Sequence, residues 1–168
     1  MKTIIASTWC GQPTDERDHV ALEVEVAAQL HLVIDAPFYD DPPPKAPPGQ
    51  LWGLWDFEVV ELFLLGDEDH YLEIEIGPHG HHLVLSLHGA RNVTGRHLPT
   101  RVEVERGGGR WRAQLELRRD LLPAGLRAFN AYAIHGSGPT RRHLAAHPVP
   151  GEAPDFHRLA HFAPWPLN

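Results

Sequence analysis

The chain has 168 residues, of which 42% are hydrophobic and 22% are charged, a composition typical of a folded globular domain. Its 15 lysines and arginines are outnumbered by 22 aspartates and glutamates, which gives a formal net charge of −7 with the histidines neutral. Nucleic-acid binding depends on neutralising phosphates with basic side chains, so this balance argues against a nucleic-acid partner. We expect a single domain over residues 1–168.

The N-terminal part of the sequence bears on where the protein resides. No stretch approaches the roughly 20 apolar residues that a membrane-spanning helix needs, and the apolar run at residues 3–9 is too short for a secretory signal. Cys10 is the only cysteine, so no internal disulfide can stabilise the domain for secretion. We therefore predict a cytoplasmic location and no membrane partner, with Cys10 partly buried beside Trp9 and unreactive.

The first half of the chain is predicted to form β-strands. Residues 20–26 alternate apolar and polar side chains, the two-residue period of a half-buried strand. Residues 59–65 form an almost continuous apolar run, which is typical of a central strand covered on both faces. Residues 71–76 and 82–87 alternate again, and the Pro-His-Gly segment at 78–80 between them predicts a tight hairpin turn.

The second half adds further strands. Residues 101–106 and 111–117 flank three glycines and predict a second hairpin, and residues 127–134 alternate once more. The sequence favours only one helical turn, at residues 119–122, which Pro123 ends. Together these elements predict an all-β fold, an antiparallel two-sheet β-sandwich of jelly-roll-like type with little helix.

Two segments are predicted to be irregular, and the apolar faces of the strands predict the core. Residues 42–49 contain five prolines and should form a stiff, extended loop. Residues 136–154, rich in Gly, Pro and His, predict a long loop rather than a pair of strands. The residues predicted to be buried are Leu22, Val24, Val60, Leu62, Phe63, Leu72, Ile74, Leu83, Leu85 and Phe129.

Four motifs, in this order, resemble those of family-9 carbohydrate-binding modules. Residues 54–64 carry an aspartate followed by a Val-Glu pair and an aromatic residue, and residues 71–80 resemble the next strand, which ends in Pro-x-Gly. The Phe-Asn pair at 129–130 matches a late strand, and residues 154–162 resemble the closing Asp-Phe-His element. The agreement extends over residues 20–162. It implies a carbohydrate-binding-module-like (DOMON-like) jelly-roll sandwich with a sugar as ligand.

A closer resemblance is to a protein family with bacterial and animal members and no established activity. Its marks are the Asp-Ala-Pro-Phe segment at 35–38, the Pro-His-Gly-His-His segment that opens residues 78–85, and residues 133–137 and 148–150. This resemblance implies the same fold and, through it, sugar binding.

One position departs from the family-9 pattern. Those modules hold a terminal sugar between two tryptophans, one of which lies in a late loop before a proline. Here His147 precedes Pro148 at that place. An imidazole offers a sugar less dispersion contact and a weaker aromatic face than an indole does, so the sugar specificity of those modules does not carry over directly.

Trp52 and Trp55 have two interpretations. Exposed, they would form a stacking platform for a sugar ring; buried, they would close one end of the sandwich. Both interpretations stay open for Trp55, whereas the second is favoured for Trp52.

Carboxylates and histidines raise the question of a metal. Glu73 and Glu75 share a strand face with Cα atoms about 7 Å apart, and such pairs bind calcium or act as acid and base. A solvated polar face is the favoured interpretation. His79 and His81, two of 13 histidines, have a spacing that would allow them to chelate zinc, although no established zinc motif is present. We predict no cofactor and keep a calcium or zinc ion as an alternative.

The predicted function is a non-catalytic binding domain for a carbohydrate or another small polar ligand. The alternative is a metal-assisted hydrolase that uses Glu and His residues on the same scaffold. Binding is favoured because the sequence contains no nucleophile elbow and no phosphate-binding glycine loop. We expect at least four of the predicted site residues to line one cleft. The predicted ligand-binding residues are Trp55, Glu61, Asn130, His135, Arg142, His147 and His157.

Overall fold

The computed structural model describes residues 1–166, and over them the chain forms fourteen β-strands and six single turns of 3-10 helix. The strands are β1 (Lys2–Ile5), β2 (Ser7–Thr8), β3 (Val20–Val26), β4 (Gln29–Pro37), β5 (Gly49–Gln50), β6 (Val59–Leu65), β7 (His70–Ile76), β8 (His81–His88), β9 (Val93–Gly95), β10 (Thr100–Gly107), β11 (Arg110–Arg118), β12 (Ala128–His135), β13 (Arg142–Ala145) and β14 (Ala163–Pro164). The helical turns are Glu16–Asp18, Leu54–Asp56, Asp67–Asp69, Arg119–Leu121, Gly138–Thr140 and Leu159–His161.

The strands form two sheets. The smaller has the order β1-β3-β4-β11-β10, and the larger has the order β2-β13-β12-β6-β7-β8-β5, with β14 beside β12 and β9 beside β8. Every described pairing is antiparallel except that of β5 with β8. The prediction of an all-β, antiparallel two-sheet sandwich with little helix is confirmed.

The main core lies between the two sheets because each strand turns alternate side chains toward the other sheet. Leu22 of β3 and Leu115 of β11 pack in one cluster with Leu62 of β6 and Ile74 of β7. All ten residues predicted to be buried are buried. The alternating pattern therefore places the strands in the correct register.

The larger sheet also buries much of its second face. Every residue of β6 is buried, as predicted for a central strand covered on both sides. Phe63, Tyr71 and Tyr132 on this second face pack with Phe156, which comes from the segment that follows β13. Polar side chains on this face are therefore buried as well, and their burial determines their electrostatics.

The turns largely follow the sequence. A backbone hydrogen bond of 3.3 Å from Gly80 N–H to the Gly77 carbonyl closes the β7–β8 hairpin, and Gly80 takes a positive φ of 84° that suits glycine. The predicted β10–β11 hairpin and the single helical turn at Arg119–Leu121 are both present. Cys10, predicted to be partly buried, is instead exposed.

Residues 136–154 contain a strand that the sequence did not predict. β13 pairs with β12 on one side and with β2 on the other, and its Leu144 and Ala145 are buried. The predicted long loop did not include this strand. The strand is short and its pairing partners are distant in sequence, so no local pattern marks it. Within residues 1–166, no helix has the length and apolar character needed to cross a membrane.

Candidate functional site

A cleft of about 400 Å³ lies on the face of the larger sheet that points away from the smaller sheet. Side chains of β6, β7, β8 and β12 form its floor, and segments outside these strands form its walls. The residues that line it are Trp52, Trp55, Asp56, Glu61, Glu73, Leu85, Leu87, Arg91, Val93, Ile134, Arg141, His143, Pro154, Phe156 and His157.

Three glutamates lie together on the sheet face that forms the floor. Glu61 of β6 pairs directly with Glu75 of β7, and Phe63 pairs with Glu73, so strand alternation turns all three carboxyl groups to the same side. Their exposed fractions are only 2% for Glu61, 4% for Glu73 and 0% for Glu75. The prediction that Glu73 and Glu75 form a solvated polar face is therefore wrong, because segments distant in sequence cover this face.

Burial dominates the electrostatics of the three glutamates. It raises the pKa of Glu73 to about 7, against opposing effects of the Glu75 side chain and the Arg91 guanidinium. Burial, followed by the charge of Glu73, raises the pKa of Glu61 well above its ordinary value, and Arg141 opposes this. Burial, followed by the charges of Glu61 and Glu73, likewise raises the pKa of Glu75 well above its ordinary value. Such interacting, desolvated carboxyls hold protons near neutral pH.

Two arginines on the walls are engaged with other groups. An Arg91 guanidinium nitrogen lies 2.7 Å from Oδ1 of Asp155, an ion pair at the mouth of the cleft. The Arg141 guanidinium donates to the carbonyl oxygen of Asp56 at 3.0 Å and to that of Trp55. Arg141 thereby ties the segment that carries Trp55 to the edge of the sheet.

His157 is held in place by a tyrosine of the floor. The Tyr71 hydroxyl lies 2.7 Å from Nδ1 of His157 and accepts a hydrogen bond of 3.0 Å from the Arg91 N–H. We expect the hydroxyl hydrogen to point to Nδ1, an arrangement in which the ring proton of a neutral His157 lies on Nε2. Burial, followed by the charge of Arg91, lowers the pKa of His157 to about 4, so the ring is neutral at physiological pH.

Aromatic side chains form the remaining wall. Trp52 and Trp55 meet edge to face with ring centroids 5.0 Å apart, and the Arg96 guanidinium lies 4.1 Å from the ring centroid of Trp52. Phe156 stacks on Tyr132 at 3.9 Å, which fixes its ring at the cleft. Trp52 is 43% exposed, so the expectation that it closes the end of the sandwich is wrong. The more enclosed Trp55 can offer an aromatic face to a ligand.

The structure brings some of the predicted site residues together. Trp55, Glu61 and His157 line the cleft, which is three of the seven rather than the four expected. Arg142 is exposed on β13, and its neighbour Arg141 lines the cleft instead.

The other predicted residues lie behind or beside the cleft. Asn130 is fully buried, and its side-chain amide donates 2.8 Å hydrogen bonds to the Tyr132 hydroxyl and to the His147 carbonyl. Its Oδ1 accepts from the N–H groups of Ala131 and His147, so every hydrogen-bonding position of this side chain is used. His147 is thus held through its backbone. The His135 ring stacks on a tyrosine ring, that of Tyr39, at 3.6 Å.

Sequence reasoning missed several cleft residues. Glu73 was detectable, since it shares a strand face with Glu75 and lies within a motif of the resemblance. Phe156 belongs to the closing Asp-Phe-His motif and Arg141 adjoins the predicted Arg142, so the sequence held a signal for both. Arg91 carried none, because it comes from a loop whose position depends on tertiary folding. Among residues 1–166, no group of three His, Cys, Asp or Glu side chains is arranged to hold a metal ion.

The fold and the cleft define a class of protein: a two-sheet β-sandwich with a small-molecule-sized cleft over the covered face of its larger sheet. The chain belongs to the UPF0462 family. It is 40% identical over 174 residues to the C4orf33 homologue of Mus musculus, with 98% of this chain and 90% of the mouse protein covered. It is also 40% identical to the Homo sapiens member, with 98% of this chain and 87% of the human protein covered.

A solved structure supports the fold assignment. The crystal structure of a "putative carbohydrate-binding protein" from Bacteroides uniformis aligns with a TM-score of 0.75, over 98% of this chain and 84% of that chain. The sequences are 14% identical, so the similarity concerns the fold. No family model matches the chain.

Proposed function

We propose that the protein binds a carbohydrate or a similar small polar ligand in this cleft, without chemical conversion. The observation that carries the proposal is the buried pair Glu61 and Glu73 on the floor of a cleft walled by Trp55 and Phe156. Sugar-binding sites combine an aromatic face, which contacts C–H groups, with polar groups that bind hydroxyls. The Bacteroides uniformis neighbour and the resemblance to family-9 modules support the same class of ligand.

The polar groups of the cleft suit hydroxyl recognition. At neutral pH the carboxyls of Glu61 and Glu73 hold protons in part, so together they can donate and accept hydrogen bonds. The neutral ring of His157 would add an N–H donor at Nε2 if Tyr71 donates to Nδ1. A sugar hydroxyl both donates and accepts, and a site with both kinds of partner can satisfy it in either sense.

The arrangement favours binding over glycoside hydrolysis. A glycosidase places its two carboxyls on opposite sides of the scissile bond, as acid on one side and nucleophile or base on the other. Glu61 and Glu73, the floor glutamates that line the cleft, project from one face of adjacent strands, so a ligand in the cleft meets both from the same side. Although a pKa of about 7 for Glu73 would suit an acid–base role, the carboxyl that the cleft wall contributes, that of Asp56, belongs to an exposed side chain.

Binding to a panel of immobilised and free saccharides tests the proposal. We expect wild-type protein to bind at least one saccharide in isothermal titration calorimetry, and both Trp55→Ala and Glu73→Gln to weaken that binding by about tenfold or more. Glu105→Gln is the matched control, because Glu105 is exposed on β10 of the other sheet. Equal binding by wild type and Trp55→Ala would place the ligand elsewhere, and the absence of any saccharide binding would overturn the proposal.

A further inference from the structure

The floor of the cleft holds three buried glutamates, whereas the arginines that line the cleft are Arg91 and Arg141. Glu61, Glu73 and Glu75 lie together, and both side-chain oxygens of Glu75 are buried without a hydrogen-bond partner among residues 1–166. The backbone N–H of Trp55 lowers the pKa of Glu75, whereas the neighbouring Glu73 side chain raises it. Native proteins seldom leave a buried carboxyl in this condition unless another group completes it.

The nearest arginines do not supply that group. Arg91 forms its ion pair with Asp155 at the mouth of the cleft, where its side chain is 62% exposed. Arg141 directs its guanidinium at the carbonyl oxygens of Trp55, Asp56 and Gly136. The charge of Arg91 lowers the pKa of Glu73, and that of Arg141 lowers the pKa of Glu61. Among residues 1–166, neither guanidinium forms an ion pair with a carboxyl of the floor.

We propose that the ligand of this cleft carries a protonated amine, as an amino sugar does. This inference rests on the proposed function and names the ligand within it. We expect an ammonium group, with three N–H donors and a positive charge, to displace a proton from the floor carboxyls into solvent, so that Glu61 and Glu73 accept its hydrogen bonds. A sugar hydroxyl offers one donor and no charge, so it gives the floor carboxyls no electrostatic reason to ionise.

The walls suit such a ligand as well. The rings of Trp55 and Phe156 contact the cleft, and an aromatic face attracts a cation as well as the C–H groups of a sugar ring. A bare metal ion is a poorer match, because the floor carboxyls are not grouped as a metal site and divalent cations require several oxygens converging on one point. An ammonium group on a sugar ring tolerates a more open set of acceptors.

The test compares matched saccharides that differ at one substituent. Glucosamine, galactosamine and mannosamine are each compared with the parent neutral sugar and with the N-acetyl derivative, by isothermal titration calorimetry at a pH of about 6.5, where the sugar amine is protonated. We expect at least one amino sugar to bind about tenfold or more tightly than both of its partners. The N-acetyl arm keeps a substituent at the same carbon and removes the charge.

Two variants show whether the preference comes from the floor. Glu61→Gln and Glu73→Gln each remove one carboxyl group and keep the size of the side chain, so each should weaken binding of the amino sugar by a larger factor than binding of its neutral parent. Thermal unfolding confirms that each variant is folded, and Glu105→Gln should keep the full preference. Neutral sugars binding as tightly as amino sugars would overturn this inference and leave the proposed function standing. Binding of no saccharide at all would overturn both.

Discussion

The hydroxyl of Tyr71 and Nδ1 of His157 lie 2.7 Å apart, which joins a strand of the cleft floor to a loop of its wall across 86 positions of sequence. The tyrosine oxygen also accepts a hydrogen bond from the Arg91 backbone N–H, so we expect its own hydrogen to point to Nδ1 and the imidazole proton to lie on Nε2. The same contact anchors the loop that brings His157 and Phe156 over the sheet. We therefore expect this one hydrogen bond both to hold the loop in place and to set which ring nitrogen of His157 donates to a ligand.

Replacing Tyr71 with phenylalanine should disturb both properties. The variant leaves the Arg91 N–H and Nδ1 of His157 without their partner, so we expect it to lower the free energy of unfolding by about 1–3 kcal/mol. Nitrogen chemical shifts of His157 should show the proton on Nε2 in the wild type and a mixture of the two neutral tautomers in the variant. Tyr39→Phe is the control, because Tyr39 donates instead to Asp18, at 3.1 Å, and should leave His157 unchanged. A wild-type ring that already carries its proton on Nδ1 would contradict this account.

The two isoleucines Ile74 and Ile4 provide a matched test of the core. Ile74 is 1% exposed between the two sheets, whereas Ile4 is 56% exposed on the edge strand β1. We expect Ile74→Ala to lower the free energy of unfolding in urea by about 2–5 kcal/mol, because the truncation removes buried surface and leaves a cavity. Ile4→Ala should lower it by less than about 0.5 kcal/mol. Similar losses for the two variants would show that the strand register is wrong.

The fold could be predicted from the sequence because its determinants are local. Alternation along β3 and β7 predicts half-buried strands, and the continuous apolar run of β6 predicts a strand covered on both faces. The glycines between β10 and β11 predict a hairpin turn. β13 could not be predicted in this way. It has four residues, and it is a strand only because β12 and β2 lie on either side of it.

The site was predicted less well, for a related physical reason. Alternation shows that Glu73 and Glu75 share a face, but it does not show whether water or another segment covers that face. The cover comes from Trp55 and Phe156, which reach the sheet through loops, and loop positions are set by tertiary contacts. Asn130 was identified by motif, and the structure shows its side chain holding the backbone of a loop.

The contacts of Asn130 lead to a third stability prediction. Asn130→Asp keeps the shape of the side chain and removes the amide donors to the Tyr132 hydroxyl and the His147 carbonyl. Because a carboxylate would then face a buried carbonyl oxygen, we expect the free energy of unfolding in urea to fall by about 3 kcal/mol or more. Asn92→Asp, at an exposed position, should change it little. Equal effects at the two sites would exclude the buried network as the cause.

The buried Glu75 carboxyl should give the protein a specific dependence of stability on pH. Its pKa in the folded state is raised above 4.5 by burial and by its neighbours Glu61 and Glu73, so above that pH the unfolded chain loses this proton first. The folded state then binds more protons than the unfolded state, and the free energy of unfolding falls as the pH rises. One titrating group can change the free energy of unfolding by at most about 1.4 kcal/mol per pH unit.

Glu75→Gln should remove this contribution, because glutamine has a similar shape and does not titrate. The stability of the variant relative to wild type should therefore increase steadily as the pH is raised from about 5 to about 8, measured by urea unfolding at each pH. Taking the difference between the two proteins cancels groups that titrate in both, including His157, whose lowered pKa acts in the opposite sense below its ordinary value of 6.5. Glu105→Gln should show no such trend. A constant difference between Glu75→Gln and wild type across this range would mean that Glu75 is already ionised in the folded protein, and the acidic floor would then have to be compensated by a cation that the chain itself supplies.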